Sequence, residues 1–310
     1  MLSKRLATSL VLLFVVSALT FVLLAFTPGD AARALVGVDA SQAQYEQARD
    51  ELGLNRPLPA RYQEWVGSAV QGDFGRSIFT KQPVIDAITA RLGVTASLII
   101  GALLVSVILG VALGAFSAVR GGAAGRFVDL VALGAYAIPS FWLGTILVTV
   151  FAVNLHWFPA TGYVKFADSS SGWLSSLVLP VVALASGGVA AIAKQTRESM
   201  LDALGSEHIR MAWSSGISPV SIVFRHALRN ASLPVVTVLG WLVVSLLGGT
   251  VLVESVFALP GLGGLAVTSA MQRDIPMVQG VVVSFTVIVV IVNLGVDLLY
   301  SWLDPRVRTG

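Results

Sequence analysis

Few side chains in this 310-residue chain could carry chemistry: three histidines, four lysines, seventeen acids and no cysteine. Without cysteine there is no disulfide framework, thiol nucleophile or Cys-liganded zinc. His156, His208 and His226 stand far apart, with no pair at zinc-binding spacing, so the sequence gives no metal site. A phosphate-binding loop needs Gly-Lys, but Lys4, Lys81, Lys165 and Lys194 follow Ser, Thr, Val and Ala. This chain therefore does not hydrolyse ATP. An intramembrane serine protease would pair its nucleophile with a histidine on a spanning helix, and all three histidines fall in loops or loop helices. Three acids interrupt otherwise apolar stretches, and ionisable groups at membrane depth are functional candidates by default. Each also has a plainer reading. Asp297 closes Asn293-Leu294-Gly295-Val296-Asp297 near a span end, where helix pairing explains it; Glu254 suits a solvated helix end; Asp129 suits a boundary position beside Arg126.

The elements holding these residues are set by composition. Apolar residues make up 55% of the chain and charged residues 12%, about half the charge density of a soluble domain. A net charge of +3, dispersed along the chain, excludes a nucleic-acid partner. A spanning helix needs about 20 apolar residues. Six stretches qualify, at about 6–26, 94–119, 127–155, 174–193, 234–256 and 276–303. The first stops at Thr27-Pro28-Gly29 and is too long for a signal-peptide core, so it reads as a retained anchor. Placing the N-terminus in the cytoplasm puts eleven basic residues of the short loops and tails there and only Lys165 and Arg273 opposite. That bias sets the orientation, with both termini inside. Gly110 and Gly114 form a GxxxG suited to close helix packing.

Two segments outside the spans are patterned like folded structure. Residues 27–93 mix charge signs and carry turn signals at Gly53, Pro57 and Pro59. Here Ser41 caps an expected helix to Leu52, and another resumes after Pro59 and ends near Gly72. The second segment, 194–233, is basic. In it Ser206 is placed to cap a short helix begun by Glu207, with Ile209, Ala212 and Trp213 on one apolar stripe and Gly216 at the left-handed cap. Ser218-Pro219 restarts a helix whose stripe is Val220, Val223, Phe224, Ala227, Leu228 and Ala231, with Arg225 and Arg229 on another face. Such a hairpin fits a docking element and equally a helix pair lying on lipid headgroups.

Glu207-His208-Ile209-Arg210-Met211-Ala212-Trp213-Ser214-Ser215-Gly216, followed by Phe224-Arg225-His226-Ala227-Leu228-Arg229-Asn230-Ala231-Ser232-Leu233-Pro234, resembles the EAA loop of binding-protein-dependent ABC importer permeases. The likeness is greatest to the "B" permease of dipeptide, oligopeptide and nickel importers. It extends through Leu52–Leu58, Gly72–Ser77, Pro139–Gly144, Trp157–Tyr163, Val253–Phe257, Pro260–Gly263 and Leu303-Asp304-Pro305-Arg306. One departure stands out: where the family usually carries Ala-Arg/Lys-Ala-Lys before the glycine, this chain has Ala212-Trp213-Ser214-Ser215.

The resemblance implies an all-α polytopic membrane protein of the type I importer fold, with six transmembrane helices and a small extracytoplasmic domain between the first two. Three parts follow: 1–93, anchor helix plus outer domain; 94–303, the permease domain with its coupling loop at 194–233; and 304–310, a cytoplasmic tail. Residues 206–215 would be the coupling helix, and the residues implied in ATPase coupling are Glu207, Ala212, Trp213, Gly216, Arg225, His226 and Arg229. The implied partners are a homologous second permease, two ABC ATPase subunits that bind ATP and Mg, an extracytoplasmic substrate-binding protein and the lipid of a prokaryotic cytoplasmic membrane. The chain itself would hold no cofactor and catalyse nothing. Short peptides are the implied cargo, with nickel or another small solute as the alternative. An ion-coupled carrier ranks below these, because it would need carboxylates near mid-membrane.

Overall fold

A computed structural model describes residues 2–26, 30–37 and 39–303, among which every regular element is helical. The Thr27-Pro28-Gly29 stop and the 304–310 tail, with Asp304, Pro305, Arg306 and Arg308, lie outside the described residues. Five helices are long and apolar enough to cross a membrane, and a bent pair makes a sixth span. Two compact units are present: Met1–Thr95 with Pro260–Val290, and Ala96–Leu259 with Ile291–Gly310.

In the first unit, α1 (Leu2–Phe26) is followed by three short helices, α2 (Ala31–Val36), α3 (Gln42–Glu51) and α4 (Leu58–Val70). The α3 start is the expected one: Ser41 and Gln44 form a reciprocal capping box. Helix α4 begins at Leu58, one residue before Pro59, since proline is tolerated in a first turn where the amide has no helical acceptor. Tyr62 of α4 stands among Phe14 and Phe21 of α1 and Trp65, and its hydroxyl lies 2.8 Å from Ser17 Oγ. Asp30 gathers the α2–α3 corner. It accepts from the Ala32 amide, from the Tyr45 hydroxyl and from Arg49 at 3.1 Å. Burial raises the Asp30 carboxyl, but these donors outweigh it and hold its pKa below the usual carboxylate value.

Further along this unit, Val84, Ala87 and Ile88 at the start of α5 (Val84–Arg120) pack with residues of α12 (Leu262–Gln272) and α13 (Ile275–Leu303). A Cβ on Gly280 would lie 2.3 Å from Val84 Cγ1, so only glycine permits that approach. Asp274, only 2% exposed, accepts from the Ser77 hydroxyl and from the Ile78 amide at 3.2 Å. Gln279 donates to the Ser17 carbonyl at 2.8 Å.

The second unit contains the rest of α5, then α6 (Gly122–Ala137), α7 (Ser140–Leu147), α8 (Ser170–Gly205), the helices from there to Leu259, and the end of α13 from Ile291. The span expected as one run over 127–155 is broken. Gly125–Ala137 and Ser140–Asn154 meet at 98°, because Pro139 holds Ile138 in an extended conformation, and a π-helical stretch, Val148–Asn154, completes the second limb. Helix α8 runs twelve residues past the Ala193 expected from its apolar core. Lys194, Gln195, Arg197 and Glu198 are good helix formers, and hydropathy marks only the embedded part of a helix. Gly110 and Gly114 of α5 meet α8 closely; a Cβ on Gly114 would come 2.4 Å from the Ala193 carbonyl. For the acids, one expectation is sharpened and one is corrected. Asp129 pairs with Arg197 of α8 at 3.4 Å rather than with Arg126, which turns back to the Gly122 carbonyl. Glu254 is not a solvated helix end: it is 1% exposed, near the fully packed Phe257.

Candidate functional site

The 194–233 segment folds as a helical hairpin growing out of α8. At its base, Ala118, Met200, Ala203, Ala227 and Ala231 form one buried cluster, with Val223 and Leu228 packed against it. Four alanines among five residues let the helices approach closely. Ser206 turns the chain with extended backbone angles. Its side chain does not cap the next helix; the hydroxyl donates to the Ala203 carbonyl of α8. Helix α9 (Glu207–Ser214) then places Glu207 in its first turn, at the positive end of the helix dipole. It ends as expected at Gly216, with φ of +76°. The Gly216 amide donates to the Trp213 carbonyl and the Ile217 amide to the Ala212 carbonyl, the two bonds of a Schellman turn.

The return limb starts where Ser218 accepts from the Ser221 amide, with Pro219 in the first helical position. Three stretches follow without interruption: α10 (Pro219–Ser221), a π-helical turn (Ile222–Ala227) and α11 (Leu228–Val256). They form a single 38-residue rod. Pro234, expected to open the fifth span, lies inside this rod; membrane helices tolerate such a proline when neighbouring groups re-satisfy the freed backbone. His208 Nε2 and Asn230 Nδ2 face each other across the hairpin at 3.3 Å.

The apolar stripes divide. Ile209, Ile222, Ala227 and Ala231 are buried, whereas Met211 is 70% exposed, Val220 67%, Phe224 65% and Trp213 49%. Sequence periodicity had grouped Val220 and Phe224 with Ala227 and Ala231 on one face. The π turn adds a residue to the helical repeat and rotates that face, so Ile222 goes inward and Phe224 outward. Around this apolar surface, Glu207, Arg225 and Arg229 are exposed and Ala212 and His226 half-buried. The hairpin thus gathers the seven sequence-expected residues into one element, and adds Met211, Val220 and Phe224 to its exposed face. Among the described residues, no group of three or more His, Asp or Glu side chains is arranged to hold a metal ion.

Comparison with known proteins places this hairpin in context. The family model of the binding-protein-dependent transport system inner membrane component matches residues 110–309, and the model of that family's N-terminal region matches 1–99. The chain belongs to this permease family. A putative peptide transport system permease protein of Brucella abortus is 41% identical over 306 residues, covering 98% of both chains. The oligopeptide transport system permease protein AppB of Bacillus subtilis is 38% identical, with 98% of each chain covered. The glutathione transport system permease protein GsiC of Escherichia coli is 39% identical, covering 98% of this chain and 97% of its own. In fold, this permease is similar to a chain of the MetNI methionine ABC transporter solved in inward-facing conformations. The TM-score is 0.59 at 16% identity, over 71% of this chain and 97% of that one. It is accordingly a multi-pass inner membrane protein, the permease subunit of an ABC importer.

Proposed function

We propose that this permease imports short peptides, and that the 194–233 hairpin, with its coupling helix at 206–215, is where ATP hydrolysis on separate subunits is coupled to it. The cargo reading rests on the peptide, oligopeptide and glutathione permeases to which the whole chain is similar. The observation that carries the coupling reading is the cluster of Met211, Trp213, Val220 and Phe224, exposed on a hairpin whose base is tightly packed. An isolated protein gains nothing from holding four large apolar side chains in water, whereas a partner cleft would bury them. Trp213 stands where the motif that the hairpin resembles usually carries a basic residue, and its aromatic area replaces charge as the anchor.

In this reading both termini and the hairpin are cytoplasmic, the segment between α1 and α5 is extracytoplasmic, and a binding protein delivers cargo on that outer side. A second, homologous permease completes the pathway. The ATPase dimer closes on ATP and Mg, carries Glu207–Ser214 with it, and opens the spans outward; hydrolysis resets the inward state. Arg225, His226 and Arg229 flank the docking face. The test is coexpression with the neighbouring permease, ATPase and binding-protein genes, followed by reconstitution into liposomes. ATP-dependent accumulation of radiolabelled di- and tripeptides, abolished when this subunit is omitted, is the expected result. A chain that purifies alone and moves solute under an ion gradient would overturn the reading.

A further inference from the structure

Away from the hairpin tip, α5, α6, α8 and α11 line a half-open cavity of about 680 Å³ within the second unit, large enough for a small ligand. Its floor is small-residue surface (Gly114, Ala190 and Ala193), and two aromatics, Tyr136 and Trp241, both largely exposed, stand at its side. Four charges line it: Asp129, Lys194, Arg197 and Glu198. Their formal sum is zero, which suits a zwitterion and not an anionic headgroup.

The charges are also incompletely used. Arg197 meets Asp129 at 3.4 Å, long for a charge-assisted bond, which is ordinarily about 2.7–2.9 Å. Its Nε is buried and has no hydrogen-bond partner. The Ser117 hydroxyl contacts Asp129 at a similarly long 3.4 Å. Lys194 and Glu198 lie one helical turn apart on α8 without forming an ion pair with each other or with any other described residue. A buried donor without an acceptor is unfavourable, so Arg197 is held short of its full bonding capacity.

We propose that this cavity is a subsite for the charged ends of a peptide in transit. The peptide carboxylate displaces Asp129 from Arg197 and engages the free Nε, with Lys194 adding positive charge. The released Asp129, together with Glu198, takes the peptide ammonium. One internal ion pair is exchanged for two external ones and the net charge of the cavity is unchanged. The aromatics flank the cargo side chain, and the small-residue floor admits its backbone. The inference rests on the peptide reading above.

The test uses the assembled importer in lipid nanodiscs, with a benzoylphenylalanine photocrosslinker at position 241 and radioiodinated tripeptide as probe. Labelling should be competed by free tripeptide, and about tenfold less well by its N-acetyl or C-amide form, as loss of a charged hydrogen bond implies. D129N should remove the discrimination against the N-acetyl form, and R197Q that against the C-amide. The D129N/R197Q double variant removes both charges of the pair, so discrimination as in the wild type in this variant would overturn the proposal. Equal competition by free and blocked peptides would overturn it too, as would labelling of phosphatidylglycerol that no peptide displaces. ATP-driven peptide uptake by the wild-type complex is measured in parallel. Uptake without site-specific competition overturns the subsite and leaves the peptide reading standing; absence of both overturns the two together.

Discussion

The segment between α1 and α5 and the hairpin between α8 and α11 are both short helices outside the apolar cores of the spans, yet they are held differently. The first is closed by directional bonds: Asp274 takes the Ser77 hydroxyl and the Ile78 amide, Asp30 ties Ala32, Tyr45 and Arg49, and Tyr62 lies in an aromatic cluster against α1. The hairpin is fixed at its base by alanines and a methionine, with one long polar contact, His208–Asn230, and its largest apolar side chains point outward. The first segment is tied down by directional bonds to neighbouring elements, although Trp65 Nε1 is buried without a partner and Val70 is 83% exposed. The hairpin, packed at its base and exposing apolar side chains at its tip, fits the docking role proposed above.

That contrast can be broken in four places. The largest effect is expected at the closed segment. Asp274→Ala leaves the Ser77 hydroxyl and the Ile78 amide buried without their acceptor, costing on the order of 3 kcal/mol. A clear fall in the melting temperature of the detergent-solubilised subunit is the readout, and an unchanged one would show that the bonds are incidental. Next, Trp213→Ala should leave that melting temperature nearly untouched while weakening ATPase association by about 2 kcal/mol, roughly thirtyfold in Kd. Unchanged assembly and ATP-coupled uptake would remove Trp213 as an anchor.

Gly216→Ala comes third. At φ of +76° a side chain costs about 1 kcal/mol, fraying the end of α9 and lowering transport with only a small loss of stability. The smallest effect concerns Asp30. Its depressed folded-state pKa means that its contribution is present above the unfolded carboxylate pKa, near 3.8, and is lost as pH falls through the lower folded value. Asp30→Asn should therefore flatten the acid limb of the stability curve of this corner below about pH 4 and leave neutral pH transport unchanged. Hydrogen exchange of α2 and α3 across that range would read it.

Much of this was legible in the residues. The capping box at Ser41, the Schellman turn at Gly216 and the Pro219 restart are local events, decided within one turn by side-chain and backbone geometry, and all three appear where the sequence puts them. The apolar cores of the spans were equally plain. Their ends were not, because α8 continues through Lys194 and Arg197 as readily as through leucine, and the membrane limits only hydropathy.

The residues themselves determined that this chain is a multi-span helical permease and where its hairpin turns, whereas close-contact glycines such as Gly280 emerged only in the structure. Only the tertiary structure decided which side of each helix faces a neighbour. The π turn at Ile222–Ala227 reassigned Phe224 to the surface, Asp129 found Arg197 from another helix rather than nearby Arg126, and Glu254 was enclosed rather than solvated. Those outcomes depend on residues distant in sequence, through packing that a periodic pattern on one helix does not encode.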